Sequence, residues 1–198
     1  MRPWTTCTRQ STHSPTSSIA NCSGTRKRPS NGTTLEADAQ PDTIVIELES
    51  ILPLSRTAID VDVHSRKRAL EWISEKVCAE FPALDAREIY QALQARERLG
   101  STGLGEGIAI PHCHAAHSRI SAAFIRLASP VDFDSPDGAP VDLLVGLIVP
   151  ESESHEHLTV LAALSTAFSE VSVQAALRSA TTPAQMRDIL LNGCRQLG

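Results

Sequence analysis

The sequence predicts an α/β fold in which a mixed β-sheet is flanked by helices. Three observations carry that expectation. Residues 141–149, Val-Asp-Leu-Leu-Val-Gly-Leu-Ile-Val, form a nearly all-apolar run that stops at Pro150. Such a run is the mark of a strand buried on both faces. Around it, some segments repeat their apolar residues at helical spacing and others alternate, which argues for helices layered on a sheet. No internal repeat competes with that reading.

Each element follows from its local pattern. Thr43–Glu49 reads as an extended lead-in, and Ala58–Val63 alternates apolar with charged residues as a half-exposed strand does. Ala69, Leu70, Ile73, Val77 and Phe81 then fall at helical spacing, which places a helix at 65–81, capped by Ser65 and closed by Pro82. A second helix is expected over 86–99, where Asp85 and Glu88 have capping-box spacing and Gly100 is the stop. Ile89, Ala92, Leu93 and Arg96 share one face of it, so Arg96 is a charge on an apolar stripe. Ile108–Ile110 suits a short buried strand, and Ile120–Ala128 a longer one with Ala122, Phe124 and Arg126 on one face. A helix at 156–168 carries Leu158, Leu161, Leu164 and Phe168, and a short one follows near 172–179. The last helix opens at Thr182-Pro183 and carries Met186, Ile189 and Leu190.

The organisation expected is a tail at 1–43 and one domain at 44–198. The tail is rich in Ser, Thr, Pro and Asn and holds Arg2, Arg9, Arg26, Lys27 and Arg28 before its first acid, Glu36. Its apolar residues are too sparse to offset the entropy of ordering, so it is expected to be disordered. It lacks the apolar core of a secretory signal and the amphipathic helix of a transit peptide. A net charge of −5 gives no reason to expect a nucleic-acid partner. No run of about 18 apolar residues occurs, so no direct membrane insertion is expected. The cysteines at 7, 22, 78, 113 and 194 are odd in number, scattered and free of any CxxC pair, which fits a reducing cytoplasm.

Residues 101–114, STGLGEGIAIPHCH, hold the chemistry. Gly103, Gly105 and Gly107 free the backbone for positive φ, and successive N–H groups in such a loop can form an anion-binding nest. Ser101 and Thr102 add hydroxyl donors. Neither a dinucleotide fingerprint nor a Walker loop is present. Pro111 restricts the backbone just before His112. A neutral imidazole is a nucleophile near physiological pH, so it can accept a phosphoryl group and pass it on. One rival is a metal-binding module using His112, His114 and His157, with Cys113, His117 and His155 nearby; the spacing matches no structural zinc pattern.

ARERLGSTGLGEGIAIPHCH, followed by SPVDFDSPDGAPVDLLVGLIVPESESHEHLTVLAALSTAF, resembles the enzyme IIA domain of the bacterial phosphotransferase system, of the mannitol/fructose and nitrogen-regulatory type. The resemblance spans about residues 48–192. It implies a cytoplasmic phosphocarrier with no cofactor. His112 would be phosphorylated by an HPr- or NPr-type phosphohistidine protein, with His157 as the second active-site histidine and Arg96 beside the phosphate. Ser101, Thr102, Gly103, Gly105 and Gly107 would form the phosphate loop. Without an attached membrane or sugar-binding domain, the regulatory branch is favoured, with transporters or sensor kinases as targets. The alternative is a sugar-uptake enzyme IIA that passes phosphate to an enzyme IIB. One departure stands out: Cys113 and His114 follow the histidine, where the family commonly has glycine and then a basic residue. A bulkier, redox-sensitive thiol at the site is the expected consequence.

Overall fold

The computed structural model describes residues 48–152 and 156–196; the tail, its boundary at 43/44 and His155 lie outside the described residues. The strands are β1 (Thr57–Val61), β2 (Gly103–Gly105), β3 (Ile108–Ala109), β4 (His112–Ala115), β5 (Ser121–Val131) and β6 (Val141–Pro150). The helices are α1 (Arg66–Cys78), α2 (Ala86–Leu99), α3 (Glu156–Ser169), α4 (Val171–Ser179) and α5 (Pro183–Gln196). The sheet is mixed, with order β1-β5-β6-β3-β2 and β4 also on β6.

β6 is the centre, as its apolar run predicts. It pairs antiparallel with β5 and parallel with both β3 and β4. Alternate residues of the sheet feed two cores, as the period of 2 requires. Ile108, Ile110, Phe124, Val145 and Leu147 pack with Leu164, Phe168, Leu177, Met186 and Leu190 of α3–α5. Ala109, Cys113, Ile125, Leu144 and Ile148 pack with Leu70, Ile73, Val77, Ile89 and Leu93 of α1 and α2. Helices therefore cover both faces.

Several features differ from the sequence expectation. Of the lead-in expected at 43–49, residues 43–47 lie outside the described residues, and the chain over 48–51 is helical instead of extended. Leu48, Ile51 and Leu52 are buried at i, i+3 and i+4, so tertiary burial selects the helical turn. α1 stops at Cys78, three residues before Phe81, and Glu80 N–H donating to Val77 O tightens its end. Pro82 disfavours helical dihedrals at Phe81, so the chain leaves the helix early. In α3 the buried residues are Val160, Leu164, Ala167 and Phe168, while Leu158 is 53% exposed. Among the described residues no single helix is long and apolar enough to cross a membrane; α3 and α4 together have the composition but are bent by 85°.

Ser65 caps α1 by accepting from Arg68 N–H, and Asp85 caps α2 by accepting from Arg87 N–H. Arg126, on β5, donates from Nη1 to the carbonyls of Leu177, Arg178 and Ala180, which finishes α4. A Cβ on Gly146, in β6, would lie 2.3 Å from Ile73 Cγ2 of α1. Gly146→Ala is therefore expected to cost about 1–3 kcal/mol through overpacking. Urea unfolding should show a lower midpoint at unchanged slope.

Candidate functional site

The glycine-rich segment folds as a hairpin. β2 and β3 pair antiparallel, with Gly103 opposite Ala109. Gly105, Glu106 and Gly107 take φ of 94°, 54° and 77° to make the turn. A Cβ on Gly107 would lie 2.7 Å from Arg178 Nη2 and 2.8 Å from Asp142 Oδ1, and the φ of 77° strains any other residue there. Both sides of this turn are latched. Glu106 N–H donates to Asp137 Oδ2 at 2.7 Å, and Arg178 Nη2 donates to Glu106 O.

The open end of the hairpin is held by a carboxylate. Glu97 is only 7% exposed, and it accepts from Thr102 N–H at 3.2 Å and from Thr102 Oγ1 at 2.5 Å. The carbonyl of Thr102 in turn accepts from Ile110 N–H at 3.0 Å. Ser101 Oγ donates to Phe133 O at 2.6 Å and accepts from Gly103 N–H at 3.0 Å. Hence the chain Glu97–Thr102–Ile110 sets where the strand ends and where His112 begins.

His112 opens β4 and is half-buried. Its Nδ1 lies 2.9 Å from Ile110 O, and Arg96 Nε donates to its Nε2 at 3.1 Å. An arginine N–H only donates and a carbonyl only accepts. Nδ1 therefore carries the hydrogen and Nε2 the lone pair. Burial pushes the His112 pKa below its usual value; the Ile110 hydrogen bond opposes this, and the charges of Arg96, His157 and His114 add to it. The ring is thus held neutral, in one tautomer, with its nucleophilic nitrogen towards a guanidinium. Arg96 also donates from Nη1 to Gly100 O at 3.0 Å.

His157 stands in the first turn of α3, and its Nδ1 is buried with no hydrogen-bond partner among the described residues. Its ring meets that of His114 edge to face, with centroids 5.3 Å apart and planes at 83°. His114 Nδ1 lies 3.3 Å from Pro150 O. Cys113 points the other way, into the α1–α2 core. It is 4% exposed, and burial pushes its thiol up to about 12, so the expected redox-sensitive thiol at the site is corrected to an inert core residue. His117 Nε2 lies 3.0 Å from Ser121 Oγ, and its ring meets Phe81. Among the described residues no three His, Cys, Asp or Glu side chains converge to hold a metal.

The structure thus brings Arg96 onto His112, and sets His114 and His157 side by side within electrostatic reach of it. Ser101 and Thr102 lie at the imidazole end of the hairpin with their hydroxyls committed to protein groups. Gly105 and Gly107 lie at the other end. Ile108 pairs with Leu143 and His112 with Leu147, four residues along β6, a separation of about 13 Å. Glu97 and the Ile110 carbonyl escape the sequence reading as site residues. The signal for Glu97 is its spacing: the buried stripe of α2 is Ile89, Leu93 and Glu97, so the carboxylate holds the core position and Arg96 sits beside it.

A tautomer-locked histidine with an arginine on its lone pair, mounted on a mixed sheet, defines a class: α/β proteins that pair a neutral histidine with an arginine at the sheet. Similarity to known proteins narrows this. Residues 50–193 match the family described as the phosphoenolpyruvate-dependent sugar phosphotransferase system, EIIA 2, and the chain belongs to that family. The nitrogen regulatory protein of Pseudomonas aeruginosa is 46% identical over 150 residues, 75% of this chain and 97% of that protein. The crystal structure of nitrogen regulatory protein IIA-Ntr from Neisseria meningitidis has a TM-score of 0.70 at 42% identity and covers 72% of this chain and 98% of that chain. The fructose-specific EIIA component of Haloferax volcanii is 31% identical over 147 residues, 74% of this chain and 96% of that protein.

The lowered pKa of His112 has a definite sign. Below its ordinary 6.5 the unfolded chain binds a proton that the folded protein resists. Its contribution to stability is therefore complete above pH 6.5 and is lost as pH falls towards the lowered folded value. NMR titration of the His112 ring should give a midpoint below 6.5, and Arg96→Ala should move it upward. A midpoint at or above 6.5 in the unaltered protein would contradict the buried, arginine-faced geometry.

Proposed function

We propose that this protein is a cytoplasmic regulatory phosphocarrier of the nitrogen-type phosphotransferase system, and that Nε2 of His112 accepts the phosphoryl group from a phosphohistidine on an HPr- or NPr-type carrier. The observation that carries this is the pair of hydrogen bonds on His112. Nδ1–H on Ile110 O leaves Nε2 as the nucleophile, and Arg96 Nε marks where charge will need support.

In the transfer, the donor's P–N bond breaks as P–Nε2 forms, and the donor ring recovers its electron pair. Phosphoryl transfer is mostly positioning and charge stabilisation. The Arg96 N–H that now rests on the Nε2 lone pair shifts to a phosphoryl oxygen as that lone pair is used. A guanidinium makes strong charge-assisted contacts to phosphate oxygens. His157 adds a second polar group beside the phosphoryl position. The hairpin of Ser101–Gly107 serves chiefly as the mount, because the Glu97–Thr102–Ile110 chain fixes the carbonyl that orients the ring.

Regulation is favoured over sugar uptake by the nitrogen regulatory relative at 46% identity, against 31% for the fructose-specific component. The phosphorylation state would then be read by transporters or sensor kinases. The second reading, transfer to an enzyme IIB, rests on that fructose-specific relative.

Incubation with phosphoenolpyruvate, enzyme I and an HPr-type protein should add one phosphoryl group, seen by intact mass as an acid-labile gain. His112→Ala should abolish the gain, and Arg96→Ala should slow it about 100-fold. Phosphate uptake by the His112→Ala protein would end the proposal. Rapid onward transfer to an enzyme IIB would select the sugar-uptake reading.

A further inference from the structure

β4 carries a second imidazole on the same face as the first, because residues two apart on a strand share a face. That residue is His114, which is exposed. Its surroundings come from four directions. His112 precedes it on β4, and His157 of α3 meets its ring edge to face at 5.3 Å. The Pro150 carbonyl, at the end of β6, accepts from its Nδ1–H at 3.3 Å. Glu88 of α2, Asp85 at the α2 cap and Glu151 after β6 line a cleft of about 220 Å³ with it, into which no lysine or arginine is placed among the described residues.

Because Nδ1–H is spent on a carbonyl, the open nitrogen of neutral His114 is Nε2. His157 is oriented differently: its Nδ1 is buried with no partner among the described residues. Of the two imidazoles beside His112, His114 is the more exposed, with its open nitrogen accessible to solvent. The charges of both His114 and His157 act on His112, which shows that the three are within electrostatic reach.

We propose that His114 is a positioning and charge-compensating residue of this site: it holds His157 edge-on beside His112, and takes one proton from solvent when His112 becomes phosphorylated. The inference rests on the reading that His112 receives the phosphoryl group. Charge balances as follows. P–Nε2 of His112 forms as the donor's P–N bond breaks, and the Nδ1 hydrogen stays on Ile110 O. The site gains one negative charge, and protonation of His114 at Nε2 cancels it. Unlike a lysine, His114 links the stability of the phosphorylated state to pH.

Ring NMR titration of His114 tests this, before and after phosphorylation by phosphoramidate, a small donor that phosphorylates imidazoles without a carrier protein. The midpoint should rise by about one pH unit or more on phosphorylation, a tenfold gain in proton affinity. It should not move in His112→Ala treated the same way. A pH-stat should record one more proton taken up per phosphoryl group by the original protein than by His114→Gln, beyond the proton that the released ammonia takes in both. His114→Lys, a fixed cation, should restore the phosphorylated yield at alkaline pH. An unchanged His114 midpoint in the phosphorylated protein overturns the inference, and this measurement needs no variant to fold. If phosphoramidate loads His112 but the protein carrier does not, the carrier reading fails alone. If neither reagent loads His112, both fall.

Discussion

Pro111 interrupts the strand that runs beside β6, and the imidazole depends on that interruption. Proline has no N–H to give to a ladder, so pairing stops between β3 and β4. On one side of the break, Ile110 N–H is turned to Thr102 O. Its carbonyl is left to accept from the next imidazole, two residues on. On the other side, Leu147 N–H takes the Pro111 carbonyl and β4 resumes its register on β6. The Ile110 carbonyl, free of any ladder, fixes the tautomer of the His112 ring.

That geometry is secured by a charge placed inside the fold. Glu97 is buried, and its nearest cation, Arg66, is 3.9 Å away. Its carboxylate is supported mainly by the amide and hydroxyl of Thr102. Hydrogen bonds to charged groups contribute about 1.5–3 kcal/mol each, more than neutral ones, because the alternative is an unpaired buried charge. The same α2 turn presents Arg96 outward to His112. One helix end therefore positions both the backbone that orients the His112 ring and the cation that faces it, through adjacent residues of opposite charge.

Much of this is legible in the sequence, for identifiable reasons. The apolar content of β6 marks a doubly buried strand without any tertiary information. Ser65 and Asp85 announce their helices because a cap acts locally. His112 and Arg96 stand out as polar residues in patterns that do not ask for them. The bond between them is not legible, since it joins residues 16 apart and depends on how Gly100 turns the chain. Glu97 is hidden by phase: the stripe read as Ile89, Ala92, Leu93 and Arg96 continues from Leu93 to Glu97, so ending it at Arg96 moves the last buried position by one residue. At Leu48 and Glu49 the extended reading gives way to a helical turn, because burial of Leu48, Ile51 and Leu52 favours it. His157 reaches the site through a contact between α3 and β4, which only the resemblance indicates beforehand.

Three imidazoles in one neighbourhood invite a metal, and their nitrogens explain why the arrangement suits a phosphoryl group instead. A metal ligand needs a lone pair aimed at a shared point. Both nitrogens of His112 are engaged, one by a carbonyl and the other by a guanidinium. A dication approaching Nε2 would have to displace Arg96 and then sit against its charge. His114 has Nδ1 turned to Pro150 O, and His157 keeps Nδ1 buried against protein. A dianionic phosphoryl group meets the opposite situation: the guanidinium that repels a cation attracts it. The sign of the charge at Arg96, more than the number of histidines, decides what this site is suited to hold.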